Sequence, residues 1–135
     1  MKLEDALVAQ ECVRGSLLGE LTFPEIIGRL SGIGVERYHA DYSRQEITYY
    51  WANGESLVVA TPHEPAATGG AFSAAEVAAA VRQSQRNEHT YQEFVRKTMQ
   101  AGCIGYFVQI SGRRVIYFGR NGDSHTELFP PSPIT

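Results

Sequence analysis

Residues 22–54 read TFPEIIGRLSGIGVERYHADYSRQEITYYWANG, and residues 90–122 read TYQEFVRKTMQAGCIGYFVQISGRRVIYFGRNG. Laid over each other without a gap, the two lines share a Thr-x-x-Glu opening (Thr22 and Glu25, Thr90 and Glu93) and an Asn-Gly close (Asn53-Gly54, Asn121-Gly122). Between these lie the matched pairs Gly34/Gly102, Tyr38/Tyr106, Ser43/Ser111 and Tyr49/Tyr117. The same offset of 68 residues carries outward to Val13/Val81, Arg14/Arg82, Ser56/Ser124 and Pro62/Pro130. The chain therefore reads as one domain, 1–135, made of two repeats, 1–62 and 69–130, joined by a loop at 61–71.

Each copy tests the other's local structure. Thr-x-x-Glu is a capping box, in which the threonine oxygen accepts from the third helical N–H and the glutamate reaches back to the cap. Phe23, Ile26, Ile27 and Leu30, like Tyr91, Phe94, Val95 and Met99, then recur at helical spacing. Gly34 and Gly102 stand where a helix end needs a left-handed backbone. An earlier helix precedes each of these, capped by Ser73 in the second copy, with Asp5 at the corresponding place in the first. Past each glycine the period drops to 2, which predicts strands over 35–43, 46–52 and 55–60, and again over 103–111, 114–119 and 123–129. Asn-Gly predicts a hairpin with positive φ at both residues. The fold class is thus α+β: an internally duplicated helix-helix-three-strand unit with antiparallel strands, helices on one face and a pseudo-twofold relation. Two meanders in one sheet and two facing sheets both satisfy the pattern. Pro130 to Pro133 reads as an extended tail strapped to the surface.

Composition narrows the function classes. An apolar fraction of 43%, 20% charged residues and a net charge of −3 describe an ordinary globular domain with no electrostatic attraction to nucleic acid. No run is long enough to span a membrane, and an N-terminus carrying Glu4, Asp5 and Glu11 is no signal peptide, so a cytoplasmic protein is expected. Cys12 and Cys103 have no metal spacing and read as free buried thiols. No Walker loop, dinucleotide fingerprint, GxSxG or HExxH occurs, and no cofactor is expected.

The segments Ala101 to Val108, Gly112 to Arg120 and Gly122 to Pro130, with Leu21 to Glu25 and Gly34 to Tyr38, resemble the YbcV-like bacterial family. The resemblance implies a small protein of unknown function, some members carrying a phage envelope label. It implies no catalytic residues.

Function is sought where the copies disagree, since an asymmetric site breaks a symmetric scaffold. One face of the first strands carries Arg37, His39 and Asp41 in copy one against Gly105, Phe107 and Gln109 in copy two. On the third strands Leu57 and Val59 become His125 and Glu127. Residues two apart on a strand share a side, so His39 with Asp41 and His125 with Glu127 are candidates for a general base with an orienting acid, or for metal ligation. Their bland alternative is a solvated strand face, and no metal is predicted. Arg37, Trp51, Tyr117 and Arg120 are candidate ligand-binding residues, Trp51 because its counterpart is Gly119. The favoured reading is a non-enzymatic module binding a small molecule or a protein. A small hydrolase or isomerase using His125 and Glu127 with His39 and Asp41 is the alternative, and a structural or prophage-derived assembly protein the third. A homodimer is a possible state.

Overall fold

The structure is a computed structural model that describes residues 1–64 and 66–130. The expected tail lies outside the described residues beyond Pro130. The chain order is α1 (Leu3–Leu17), α2 (Phe23–Gly32), β1 (Val35–Asp41), β2 (Glu46–Trp51), β3 (Ser56–Ala60), α3 (Ala74–Gln85), α4 (Tyr91–Gln100), β4 (Cys103–Gln109), β5 (Arg114–Gly119) and β6 (Ser124–Leu128). Helix, helix and three strands thus occur twice in succession.

Both capping boxes form as the sequence predicts. Thr22 accepts from the Glu25 N–H, and Thr90 accepts from the Glu93 N–H at 3.1 Å. Each glutamate returns the bond to its cap N–H at 3.0 Å. These bonds hold both carboxyls below the usual carboxylate range. Ser73 likewise accepts from the Glu76 N–H. Asp5 is no cap, because α1 starts two residues earlier and Asp5 lies in its first turn, where a carboxylate favours the helix dipole. Gly34 and Gly102 leave their helices at φ +88° and +90°.

The Asn-Gly turns differ from expectation. Gly54 and Gly122 take positive φ, while Asn53 and Asn121 do not. Trp51 N–H donates to Glu55 C=O, which closes a three-residue loop needing one left-handed residue. Asn53 instead caps that loop, its Oδ1 accepting from the Glu55 N–H at 2.9 Å. The unforeseen left-handed residues other than glycine are Gln45 and Arg113, in the β1–β2 and β4–β5 turns, and Asn87, after α3.

All six strands form one antiparallel sheet in the order β3-β2-β1-β4-β5-β6. The two meanders meet where β1 pairs with β4, and His39 lies opposite Phe107 at the middle of that seam. All four helices cover one face. That face buries Tyr38, Tyr49, Tyr106 and Tyr117 from the sheet against Leu30, Val77, Val95 and Phe94 from the helices. Each aromatic removes roughly 150–250 Å² from water, worth about 4–6 kcal/mol apiece before ordering costs. Two further hydroxyl bonds tie this layer to the helices: Tyr42 with Thr98 at 2.8 Å, and Tyr106 with Tyr91 at 2.9 Å. Burial pushes the Tyr38, Tyr42 and Tyr106 hydroxyls far above their ordinary range and Tyr91 up to about 12. Among the described residues the opposite face carries no helix. Among the described residues no helix is long and apolar enough to cross a membrane.

Candidate functional site

The helix-free face is the side on which β1 presents Arg37, His39 and Asp41. Strand pairing sets Thr48 beside His39 and Tyr50 beside Arg37 on β2, and Phe107 and Gly105 opposite His39 and Asp41 on β4. Phe118 of β5 continues the Gly105 row. Aromatic rings line the middle of this face: His39 stacks on Phe107 at 4.7 Å with planes 10° apart, and Tyr50 lies 6.4 Å from Phe107.

At one end of this face lies a hollow of about 740 Å³, bounded by His39, Asp41, Gly105, Phe118, Arg120 and Thr68. Its origin is visible in the offset positions. Arg37 and Tyr50 correspond to Gly105 and Phe118, and the Arg37 guanidinium sits 4.4 Å from the Tyr50 ring centroid. In the first half an arginine covers its own aromatic ring. In the second half glycine leaves Phe118 uncovered. Gly105 also has no room for a side chain, since a Cβ there would lie 2.3 Å from the Ala40 carbonyl oxygen across the strand seam.

Polar groups surround this aromatic floor. Arg120, whose counterpart is Ala52, bonds to the Thr68 carbonyl at 3.4 Å, so the linker between the halves forms one wall. Asp41 spends Oδ1 on the Ser43 and Arg44 N–H groups at 3.0 and 3.2 Å, which fixes the carboxylate at the rim. A guanidinium, a held carboxylate and an imidazole around a flat apolar floor can bind a planar molecule bearing an acidic group by stacking, ion pairing and hydrogen bonding.

The other candidates separate by face. Arg37 lies on the helix-free face, in the Tyr50 row and not in the hollow. Trp51 and Tyr117 are buried under the helices. The Trp51 indole N–H donates to Ile33 C=O at 2.8 Å and the ring packs over Gly34, so it is a core residue. Phe72 packs against Gly119, the position equivalent to Trp51.

His125 and Glu127 lie on the helix-covered side of β6, so the sheet separates them from His39 and Asp41 and the four residues do not converge. They do bond to each other, at 2.6 Å, and Arg82 of α3 holds the second Glu127 oxygen at 2.9 Å. Burial raises the Glu127 carboxyl, but the bonds from His125 and Arg82 outweigh it and hold the pKa below the usual range. Among the described residues, no three His, Cys, Asp or Glu side chains are grouped to hold a metal. Cys12 and Cys103 are free and buried, and burial raises both thiols.

One cluster escapes sequence reasoning. Ser84 Oγ lies 2.7 Å from His89 Nε2, and Lys97 Nζ lies 3.0 Å from His89 Nδ1. Its polarity is wrong for a nucleophile. A lysine ammonium donating to Nδ1 requires the imidazole proton on Nε2, where it donates to the serine oxygen and cannot accept its proton. Burial and the Lys97 charge together push the His89 pKa down. The cluster ties the end of α3 to α4, and no spacing signal announces it. The hollow was partly signalled by the Arg37/Gly105 mismatch, but its third wall, Thr68, comes from the linker.

No curated protein matches this chain. A family model described as protein of unknown function (DUF1398) matches residues 11–127, and the chain belongs to that family.

Proposed function

We propose that the protein is a non-enzymatic binding module, built on an internally duplicated scaffold, whose helix-free sheet face takes a small planar molecule with an acidic group. The carrying observation is the hollow over Phe118, with Arg120, Asp41 and His39 around it. Arg120 is the anion partner, Asp41 accepts from a ligand hydroxyl or amine, and Phe118 supplies the stacking surface. The test is an NMR titration of the 15N-labelled protein with three probes: indole-3-acetate, 4-hydroxybenzoate and L-tryptophan. Saturable shifts at His39, Gly105, Phe118 and Arg120 are expected for at least one probe, and their loss in Arg120→Ala. No shift with any probe at millimolar concentration, or shifts elsewhere, sinks the reading.

The hydrolase or isomerase reading retains one observation, the 2.6 Å bond from His125 to Glu127. An orienting carboxylate of that kind serves a general base, yet Arg82 already neutralises it. We read the trio as an ion cluster on an edge strand. The YbcV-like resemblance and its phage envelope label add no residue to the binding reading, which stands on the hollow.

A further inference from the structure

The two outer edges of the sheet are chemically unlike, and we infer that the β3 edge is where two copies of this chain join, β3 against β3 and α1 against α1, into a continuous twelve-stranded sheet. Trp51 N–H bonds to Glu55 C=O and Thr61 N–H to Gln45 C=O, with Leu57 and Val59 opposite Tyr49 and Ile47 between them. Because an antiparallel ladder alternates, this register turns the backbone of Leu57 and Val59 toward β2 and leaves the N–H and C=O groups of Ser56, Val58 and Ala60 facing outward. β3 is an edge strand, so among the described residues no strand meets them.

What covers that edge is settled by its own sequence. A twofold axis through Val58 sets Ser56 against Ala60 of the second copy and Leu57 against Val59 of the second copy. All six outward groups are then bonded, and every facing pair is apolar or small, with no like charges opposed. Alongside, α1 adds a stripe. At 100° per residue, Leu3, Leu7, Arg14 and Leu18 share one side of the helix, and the three leucines are 76%, 51% and 57% exposed, with Val58 at 53%. This side adjoins β3, for Leu17 and Leu18 line a groove with Val59 and Ala60, while the Met1 ammonium pairs with Glu55 at the other end. The helix therefore runs along the strand with its middle near Val58. The same twofold axis brings the leucines near Met1 in one copy to those near Leu18 in the other.

The opposite edge lacks these properties. At the offset positions of Leu7, Leu17, Leu18, Leu57 and Val59 stand Ala75, Gln85, Arg86, His125 and Glu127. Leu128 apart, the β6 edge presents hydroxyls outward and an ion cluster beneath α3, and inward charges on an edge strand oppose strand addition. A 15-residue helix is about 22 Å long, so the interface is at the small end of specific ones and its dimer dissociates on dilution.

The test is light scattering coupled to gel filtration on the full chain at high-micromolar concentration. Twice the monomer mass of 14.9 kDa is expected. Val58→Lys sets two ammonium groups against each other on the axis, and Leu18→Glu places a carboxylate among the leucines near Met1 of the second copy; both change exposed side chains, and each is expected to weaken the dimer by about 100-fold or more. Thr126→Lys, on the other edge, is expected to leave it intact. Circular dichroism identifies any variant that fails to fold, and Leu18→Glu carries the test if Val58→Lys does. A wild-type monomer at that concentration, open-ended higher oligomers, or a dimer that survives both folded variants overturns the inference.

Discussion

Gly105 offers the sharpest test of how closely the two halves are joined. Replacing it with alanine puts a methyl group 2.3 Å from the Ala40 carbonyl oxygen, about 0.7 Å inside the closest approach that Cβ atoms tolerate. The obstacle is backbone in the central β1·β4 seam, so relief requires the strands to part where Asp41 faces Gly105. Overpacking of this kind costs about 1–3 kcal/mol, with weakened seam hydrogen bonds adding about 1. The smaller conformational entropy of unfolded alanine returns about 0.5 kcal/mol. We expect Gly105→Ala to lose about 2–3 kcal/mol, a fall in Tm of roughly 10 °C at this chain length. Gly28, exposed in α2 with nothing within 4 Å of a built Cβ, is the control, and alanine there should gain about 0.5–1 kcal/mol. Urea unfolding followed by circular dichroism gives both values at unchanged m. If Gly105→Ala falls within 1 kcal/mol of Gly28→Ala, the close approach of the halves is not real, and the floor of the hollow is drawn wrongly.

Two further perturbations probe the cores of the polar clusters. The Glu127 carboxyl is held below its unfolded pKa, so its contribution is present above the usual carboxylate range and is lost as pH falls through the depressed folded value. Glu127→Gln should therefore be less stable than wild type at about pH 6, with the gap narrowing as pH falls below the usual carboxylate range; urea midpoints across that range check it, and a pH-independent gap refutes it. Thr98→Val keeps shape but strands the Tyr42 hydroxyl, now 2.8 Å from Thr98 Oγ1 in the core. A loss of about 1–3 kcal/mol is expected, partly recovered by adding Tyr42→Phe, because an orphaned buried donor costs more than an absent pair.

Legibility followed the range of the interaction. Thr22 with Glu25 and Thr90 with Glu93 bond within one helical turn, so four residues of sequence were enough. The Asn-Gly loops were placed correctly and misassigned in type, because a three-residue loop with an asparagine cap uses the same letters as a two-residue turn. The Trp51/Gly119 mismatch reads as a ligand-binding position, yet Gly34, seventeen residues away in sequence, accommodates the Trp51 ring. His39 with Asp41, and His125 with Glu127, do share a side of their strands, as residues two apart must. That rule cannot say which side one strand's residues take relative to another's.

The sequence by itself determined the α+β class with its helices on one face, the order of elements, the Thr22, Ser73 and Thr90 caps and the alternation of each strand, since all of these rest on contacts a few residues long and on the burial of apolar side chains. Tertiary structure alone decided that β1 and β4 join the two meanders into one sheet and that Arg120, Thr68 and Phe118 meet around Gly105. The reason is register. Sliding one strand by a single residue past its neighbour exchanges its two faces, and register between β1 and β4 is set by side-chain packing and backbone bonding between segments far apart in the chain.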